Sequence, residues 1–210
     1  MRVGILGGSF DPVHAGHLHV ARAAQRAFAL DRVVFVPAAR PPHKPGQLLA
    51  SGLDRTTMLE IALERDPSFL VSTIELERAG PSFTIDTVRA LPAELGLPAD
   101  VELFLLIGGD NLPDLPAWRE AGELLRRVQP VVVLRAGDEQ EVVERLRATL
   151  GEEVAQRLER GLVRAEPVAV SATQLRAALV RGEDPGAALP QGVLEYIRAR
   201  GIYAARPSGR

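Results

Sequence analysis

The chain has 210 residues, 46% of them hydrophobic and 25% charged, which is the composition of one ordinary globular domain with a full core. It has no cysteine, which excludes a disulfide, a thiolate metal site and a cysteine nucleophile. The formal net charge of −2 argues against a broad nucleic-acid-binding face, so a polyanionic ligand has to be met by local chemistry.

Arg2–Leu6 reads as a short buried strand, Gly7–Pro12 as a turn, and alanine-rich Ala15–Ala29 as a helix. The apolar run Val3–Leu6 is too brief for the core of a signal peptide, and no later stretch is long enough to span a membrane, so a cytoplasmic protein is expected. Val33–Pro37 reads as a second strand, followed by a long Pro/Gly loop, Pro41–Ser51. Leu53–Arg65 reads as a helix, Leu70–Leu76 as an alternating strand, and Thr84–Leu95 as a helix with Pro92 near its end. Val101–Ile107 (VELFLLI) is the most apolar strand and is expected at the centre of a parallel sheet. Then come a loop, Gly108–Pro116, a helix, Ala117–Val128, and a strand, Val131–Arg135. Glu139–Leu150 and Glu152–Glu159 are charged helical patterns, Val163–Val170 is a last strand, and Ala172–Arg181 and Gly192–Arg200 are closing helices. One domain over residues 1–204 is expected, with residues 205–210 a frayed tail.

This alternation predicts an α/β fold with a doubly wound, mostly parallel open sheet and right-handed crossovers. Ligands in such folds bind beyond the carboxyl ends of the strands, at a switch point. Gly7–His17, Ala38–Lys44, Gly108–Trp118 and Ser171–Arg176 mostly follow strands and are expected to converge on one rim.

Near the N-terminus runs GGSFDPVHAGHL, from Gly7 to Leu18. Gly7 and Gly8 permit a sharp turn with bare amides, and the helix N-terminus that follows makes a ready anion site. Ser9 adds a hydroxyl donor, and Asp11-Pro12 is read as a structural turn into the helix. His14 and His17 share one helical face, with Cβ atoms about 5–6 Å apart, so both imidazoles can donate to one phosphate group. Gly16 between them permits close approach. A zinc site would need a third ligand and an open position, and only His43 is spare. His19 points to another face and is read as structural.

Near the C-terminus runs VSATQLR, from Val170 to Arg176. Ser171 occupies a capping position, Thr173 lies in the first turn, and Arg176 follows one turn later on the same side. A guanidinium grips phosphate oxygens in a fork. Alone, each of these is an ordinary cap or surface arginine. Of 25 basic residues 24 are arginine, and the single lysine, Lys44, lies in PPHKPG.

GGSFDPVHAGHL resembles the first signature of the HxGH nucleotidyltransferases, and VSATQLR resembles their C-terminal signature ISSTxxR, with Ala172 in place of a hydroxyl residue. PAARPPHKPG, GLDRTTMLEIAL, PSFTIDTVRAL and IGGDNLPDLPAW are similar to segments of the bacterial nicotinate mononucleotide adenylyltransferases, in the same order over most of residues 1–176. The resemblance implies a Rossmann-like nucleotidyltransferase fold and adenylyl transfer from ATP to nicotinate mononucleotide, giving nicotinate adenine dinucleotide and pyrophosphate in NAD biosynthesis. It also implies direct in-line attack with no covalent intermediate. An attacking phosphate is already ionised at neutral pH, so the protein supplies alignment and charge stabilisation rather than a general base.

In that reading His14, His17, Lys44 and Arg176 carry catalysis. ATP is bound by Gly7, Gly8, Ser9, Phe10, His14, His17, Gly108, Asp110, Ser171, Thr173 and Arg176. The acceptor is bound by Lys44, Thr84, Trp118 and Arg135. Trp118 is placed to stack on the pyridine ring. Thr84 would cap a helix whose amides face the nicotinate carboxylate, and Asp110 would accept from a ribose hydroxyl. No close aspartate pair suggests a protein-held metal, so Mg²⁺ is expected to arrive with ATP, on its phosphates. Nicotinamide mononucleotide and phosphopantetheine remain alternative acceptors. A non-catalytic ATP sensor remains an alternative of another class, and a homo-oligomer is open.

Overall fold

The computed structural model describes residues 1–41, 50–134, 144, 147–149, 151–166 and 168–204, with Asp110 described in its backbone only. In chain order the strands are β1 (Arg2–Gly8), β2 (Arg32–Pro37), β3 (Phe69–Val71), β4 (Glu102–Gly108), β5 (Gln129–Leu134) and β6 (Leu162–Arg164). Among the described residues they form one sheet in the order β3-β2-β1-β4-β5-β6, and every pairing is parallel. The helices are α1 (Ala15–Phe28), α2 (Gly52–Leu63), α3 (Ile74–Glu77), α4 (Thr84–Glu94), α5 (Ala121–Arg127), α6 (Glu152–Arg160), α7 (Ala172–Val180) and α8 (Gln191–Arg200). No described helix is long and apolar enough to cross a membrane.

Apolar residues on both faces of the strands explain the layering. Val3 and Ile5 of β1 join one buried cluster with Val34, Val36, Leu105 and Ile107. Leu6, pointing the other way, joins a second cluster with Phe35, Phe104 and Leu106. A sheet covered on both faces needs such continuous apolar runs, and each buried Leu or Ile contributes about 1.5–3 kcal/mol. VELFLLI is central, as expected, because β4 pairs with β1 on one side and β5 on the other.

The chain winds outward from β1 to β3, then returns beside β1 as β4 and winds out to β6. The reversal between β1 and β4 is the switch point, where a crevice opens beyond the strands' carboxyl ends.

Local chemistry sets the boundaries. Ser51 caps α2 by accepting the Asp54 amide at 3.0 Å. The chain leaves α1 through Ala29 in the left-handed region, at φ 46°. Three segments differ from the sequence expectation. The strand expected over Leu70–Leu76 ends at Val71, and Ile74–Glu77 turns into a short helix. Ser72 takes over there, its amide bonding the Phe35 carbonyl and its hydroxyl accepting the Ile74 amide at 3.3 Å. The loop expected over Gly108–Pro116 is a 3₁₀ helix, Gly109–Ala117, and α5 begins only at Ala121. Pro113 and Pro116 have no amide to give an α-helical ladder, so tighter turns prevail. The strand expected over Val163–Val170 pairs only through Leu162–Arg164. Most of the helical pattern at Glu139–Leu150 lies outside the described residues.

Candidate functional site

A cleft of about 780 Å³ opens over the ends of β1, β4 and β5. All four expected segments contribute to its lining where they are described: Gly7–His17, Ala38 and Pro41, Gly108 with Trp118, and Ser171–Arg176.

The loop leaving β1 is held by packing. Phe10 adopts φ 47°, which a non-glycine residue reaches at a cost, and its ring is fully buried. The ring packs on Phe35 at 5.7 Å and meets the His17 ring edge-on at 4.9 Å. A Cβ on Gly8 would lie 3.1–3.3 Å from Phe10 ring carbons, so glycine there makes room for the ring. Phe10, expected among the ATP-binding residues, lines the cleft while serving as the support on which His17 rests.

His14 is the N-cap of α1 in extended backbone, and is 8% exposed. Its ring stacks on His17 with centroids 3.8 Å apart. Its backbone amide donates to His17 Nδ1 at 3.3 Å. Since His17 Nδ1 accepts, the neutral ring carries its proton on Nε2. Burial lowers the His14 pKa from 6.5 to about 4, so His14 is a neutral donor at physiological pH. The spacing residue also matters: a Cβ on Gly16 would lie 3.1 Å from the His14 ring.

The second motif meets the first directly. Ser171 is the N-cap of α7, but its hydroxyl makes no capping bond. Arg176 donates through Nη1 to the Asp11 carbonyl at 2.8 Å and through Nη2 to Thr173 Oγ1 at 3.3 Å. A guanidinium has more N–H donors than these bonds use. Residues 165 positions apart therefore share one wall of the cleft.

The opposite wall is built from α4 and the 3₁₀ segment. Thr84 is the first residue of α4, and Phe83 rather than Thr84 holds the capping position. Trp118 ends the 3₁₀ segment, half-buried, and lines the cleft. Gly108 closes β4 beside Val133. Lys44, Arg135 and the side chain of Asp110 lie outside the described residues, as does His43. His19 also lines the cleft, next to the residues it was read as facing away from.

Several residues here escape sequence reasoning. Arg55 is 2% exposed and donates to the Ser9 carbonyl at 2.7 Å. Burial opposes its charge while the Asp11 carboxylate supports it. Ser82 accepts the Ala39 and Arg40 amides at 2.9 and 3.1 Å, fixing the edge of the cleft. Arg119 lies 4.7 Å above the Phe83 ring. Buried Glu75 accepts from the Thr87 hydroxyl at 2.6 Å. The signal for Ser82 and Phe83 was at hand, because both lie in PSFT beside Thr84. Arg55 was one of many arginines.

A switch-point cleft walled by an imidazole pair and a hydroxyl–arginine helix start is a nucleotidyltransferase layout. Residues 5–183 match the cytidylyltransferase-like family, and the chain belongs to it. Its relatives place it among the nicotinate-nucleotide adenylyltransferases of that family. The chain is 37% identical over 208 residues to the "Probable nicotinate-nucleotide adenylyltransferase" of Moorella thermoacetica, covering 99% of this chain and 94% of the relative. It is 40% identical over 204 residues to the protein of the same name from Bordetella petrii, covering 96% and 98%. Its fold matches that of Plasmodium falciparum nicotinic acid mononucleotide adenylyltransferase complexed with NaAD, with a TM-score of 0.73 at 16% identity, covering 96% and 97%.

Proposed function

We propose that this chain transfers the adenylyl group of ATP to nicotinate mononucleotide, a step of NAD biosynthesis. The observation that carries the reading is the Arg176 bond to the Asp11 carbonyl, which joins the arginine helix to the loop bearing the histidine pair. The acceptor follows from the names of the relatives.

The acceptor's phosphate oxygen attacks the α-phosphorus of ATP in line. The new P–O bond forms as the bond to the bridging oxygen breaks, and pyrophosphate leaves with that electron pair. His17 Nε2–H and neutral His14 donate to the α-phosphate, where charge develops. Gly7, Gly8 and Ser9 line the phosphate path, with Gly108 and Asp110 on the nucleoside side. Arg176, Thr173 and Ser171 hold the departing pyrophosphate. Lys44 offsets repulsion between the two phosphates as they meet. Thr84, Trp118 and Arg135 receive the acceptor.

Mg²⁺ takes near-octahedral oxygen ligands and keeps several waters. Among the described residues no cluster of three or more His, Asp or Glu could hold a metal ion. In this reading Mg²⁺ would be borne on the triphosphate, where it would neutralise phosphate charge.

The test is pyrophosphate release with ATP and a panel of acceptors. Rapid release with nicotinate mononucleotide, and slow release with nicotinamide mononucleotide and phosphopantetheine, is the expected result. ATP binding with no turnover on any acceptor would replace the enzyme reading with a sensor.

A further inference from the structure

The C-terminal segment reaches the phosphate wall. Tyr203 follows α8, 192 positions from Asp11, yet its ring is buried and its hydroxyl donates to Asp11 Oδ1 at 2.5 Å. The same oxygen accepts the Ala50 amide at 3.1 Å. On the backbone of that residue, the Asp11 carbonyl accepts Arg176 Nη1 at 2.8 Å. Asp11 is thus held by its side chain from the C-terminus while its carbonyl holds the arginine of the second motif.

The tyrosine is delivered firmly. Tyr196 of α8 donates to Asp54 Oδ1 at 2.9 Å, and Arg200 Nε lies 3.6 Å from the same atom. Tyr203 itself sits at φ 61°, a conformation that a non-glycine residue keeps only where its surroundings over-determine it. Burial and the adjacent carboxylate push its phenol well above the usual range, so the hydroxyl remains the donor.

We propose that Tyr203 is a positioning residue for the phosphate end of the site: by holding Asp11 it fixes the carbonyl that aims the Arg176 guanidinium. The proposal rests on the reading of that wall as an ATP clamp. A purely structural tyrosine would act through its ring; a positioning one acts through its hydroxyl and through Arg176.

The experiment uses Tyr203→Phe, which keeps the ring, in the wild-type and Arg176→Ala backgrounds. Binding of a non-hydrolysable methylene analogue of ATP is measured by calorimetry below the melting temperature of each variant. Tyr203→Phe weakens binding about tenfold in the wild-type background, as loss of a bond to a charged group does. In the Arg176→Ala background it changes binding by about twofold or less, because the two residues act as one unit. Equal weakening in both backgrounds, or unchanged binding with only a lower melting temperature, overturns the positioning role. No analogue binding by the wild-type chain overturns the ATP reading and this proposal with it.

Discussion

The two walls of the cleft are held by different means. On the wall proposed to hold the phosphates, His17, Ser9, Asp11 and Arg176 each meet a buried partner: Phe10 under His17, Arg55 on the Ser9 carbonyl, Tyr203 on Asp11, and Asp11 on Arg176. The wall proposed to receive the acceptor has one buried side-chain bond, Thr87 to Glu75, beside a serine hydroxyl that gathers two amides and an exposed arginine over Phe83. In-line transfer needs precise alignment, and about 1 Å of misplacement can cost roughly a hundredfold in rate. Recognition of an acceptor tolerates a looser frame.

The harshest way to break the comparison is His17→Ala. Turnover is expected to fall about 10²–10³-fold with little change in melting temperature, as when a preorganised donor to the transition state is removed. Wild-type turnover in that variant would take histidine out of the mechanism. The opposite wall is probed by Trp118→Ala. The acceptor KM is expected to rise about tenfold, in line with roughly 1–3 kcal/mol for stacking on a base, while the ATP KM holds. A matching rise in the ATP KM would show that the walls are not separable.

A subtler change is Gly16→Ala. The added Cβ would press on the His14 ring at 3.1 Å, while alanine favours the helix by up to about 1 kcal/mol. Turnover is expected to fall by about threefold to tenfold, as a shift of a few tenths of an ångström in the imidazole would produce, with stability unchanged or raised. Unaltered steady-state kinetics would show that the ring yields freely.

The last change is read in stability rather than in turnover. Burial lowers His14 to about 4 in the fold from 6.5. Between those values the unfolded chain binds a proton that the folded chain does not, so stability falls as pH drops from 6.5 towards 4, by on the order of 3 kcal/mol at most. Denaturation in His14→Asn across that window is expected to show a correspondingly weaker acid slope. A slope identical to wild type would mean that His14 is not buried neutral.

Much of this architecture was legible beforehand. Continuous apolar runs marked β1, β2 and β4, because strands covered on both faces admit little else. Gly7–His17 and Ser171–Arg176 stood out through their resemblance to two nucleotidyltransferase signatures. The rest depended on tertiary partners. Leu70–Leu76 alternates like a strand, yet Ser72 bonds and the buried Glu75 turn it into helix. The prolines of the 3₁₀ segment read as loop because their effect depends on where the chain must go next. Arg55 lay within GLDRTTMLEIAL and Tyr203 beyond the matching segments, and neither showed its role, because each acts by reaching Ser9 or Asp11 from 46 and 192 positions away.

The most direct test of the clamp is a crystal structure with a non-hydrolysable ATP analogue. The triphosphate is expected to run between the His14–His17 pair and Arg176, with His17 Nε2 about 2.7–3.1 Å from an α-phosphate oxygen and the guanidinium on the terminal phosphates. A nucleotide seated with its phosphates away from both groups would contradict the account.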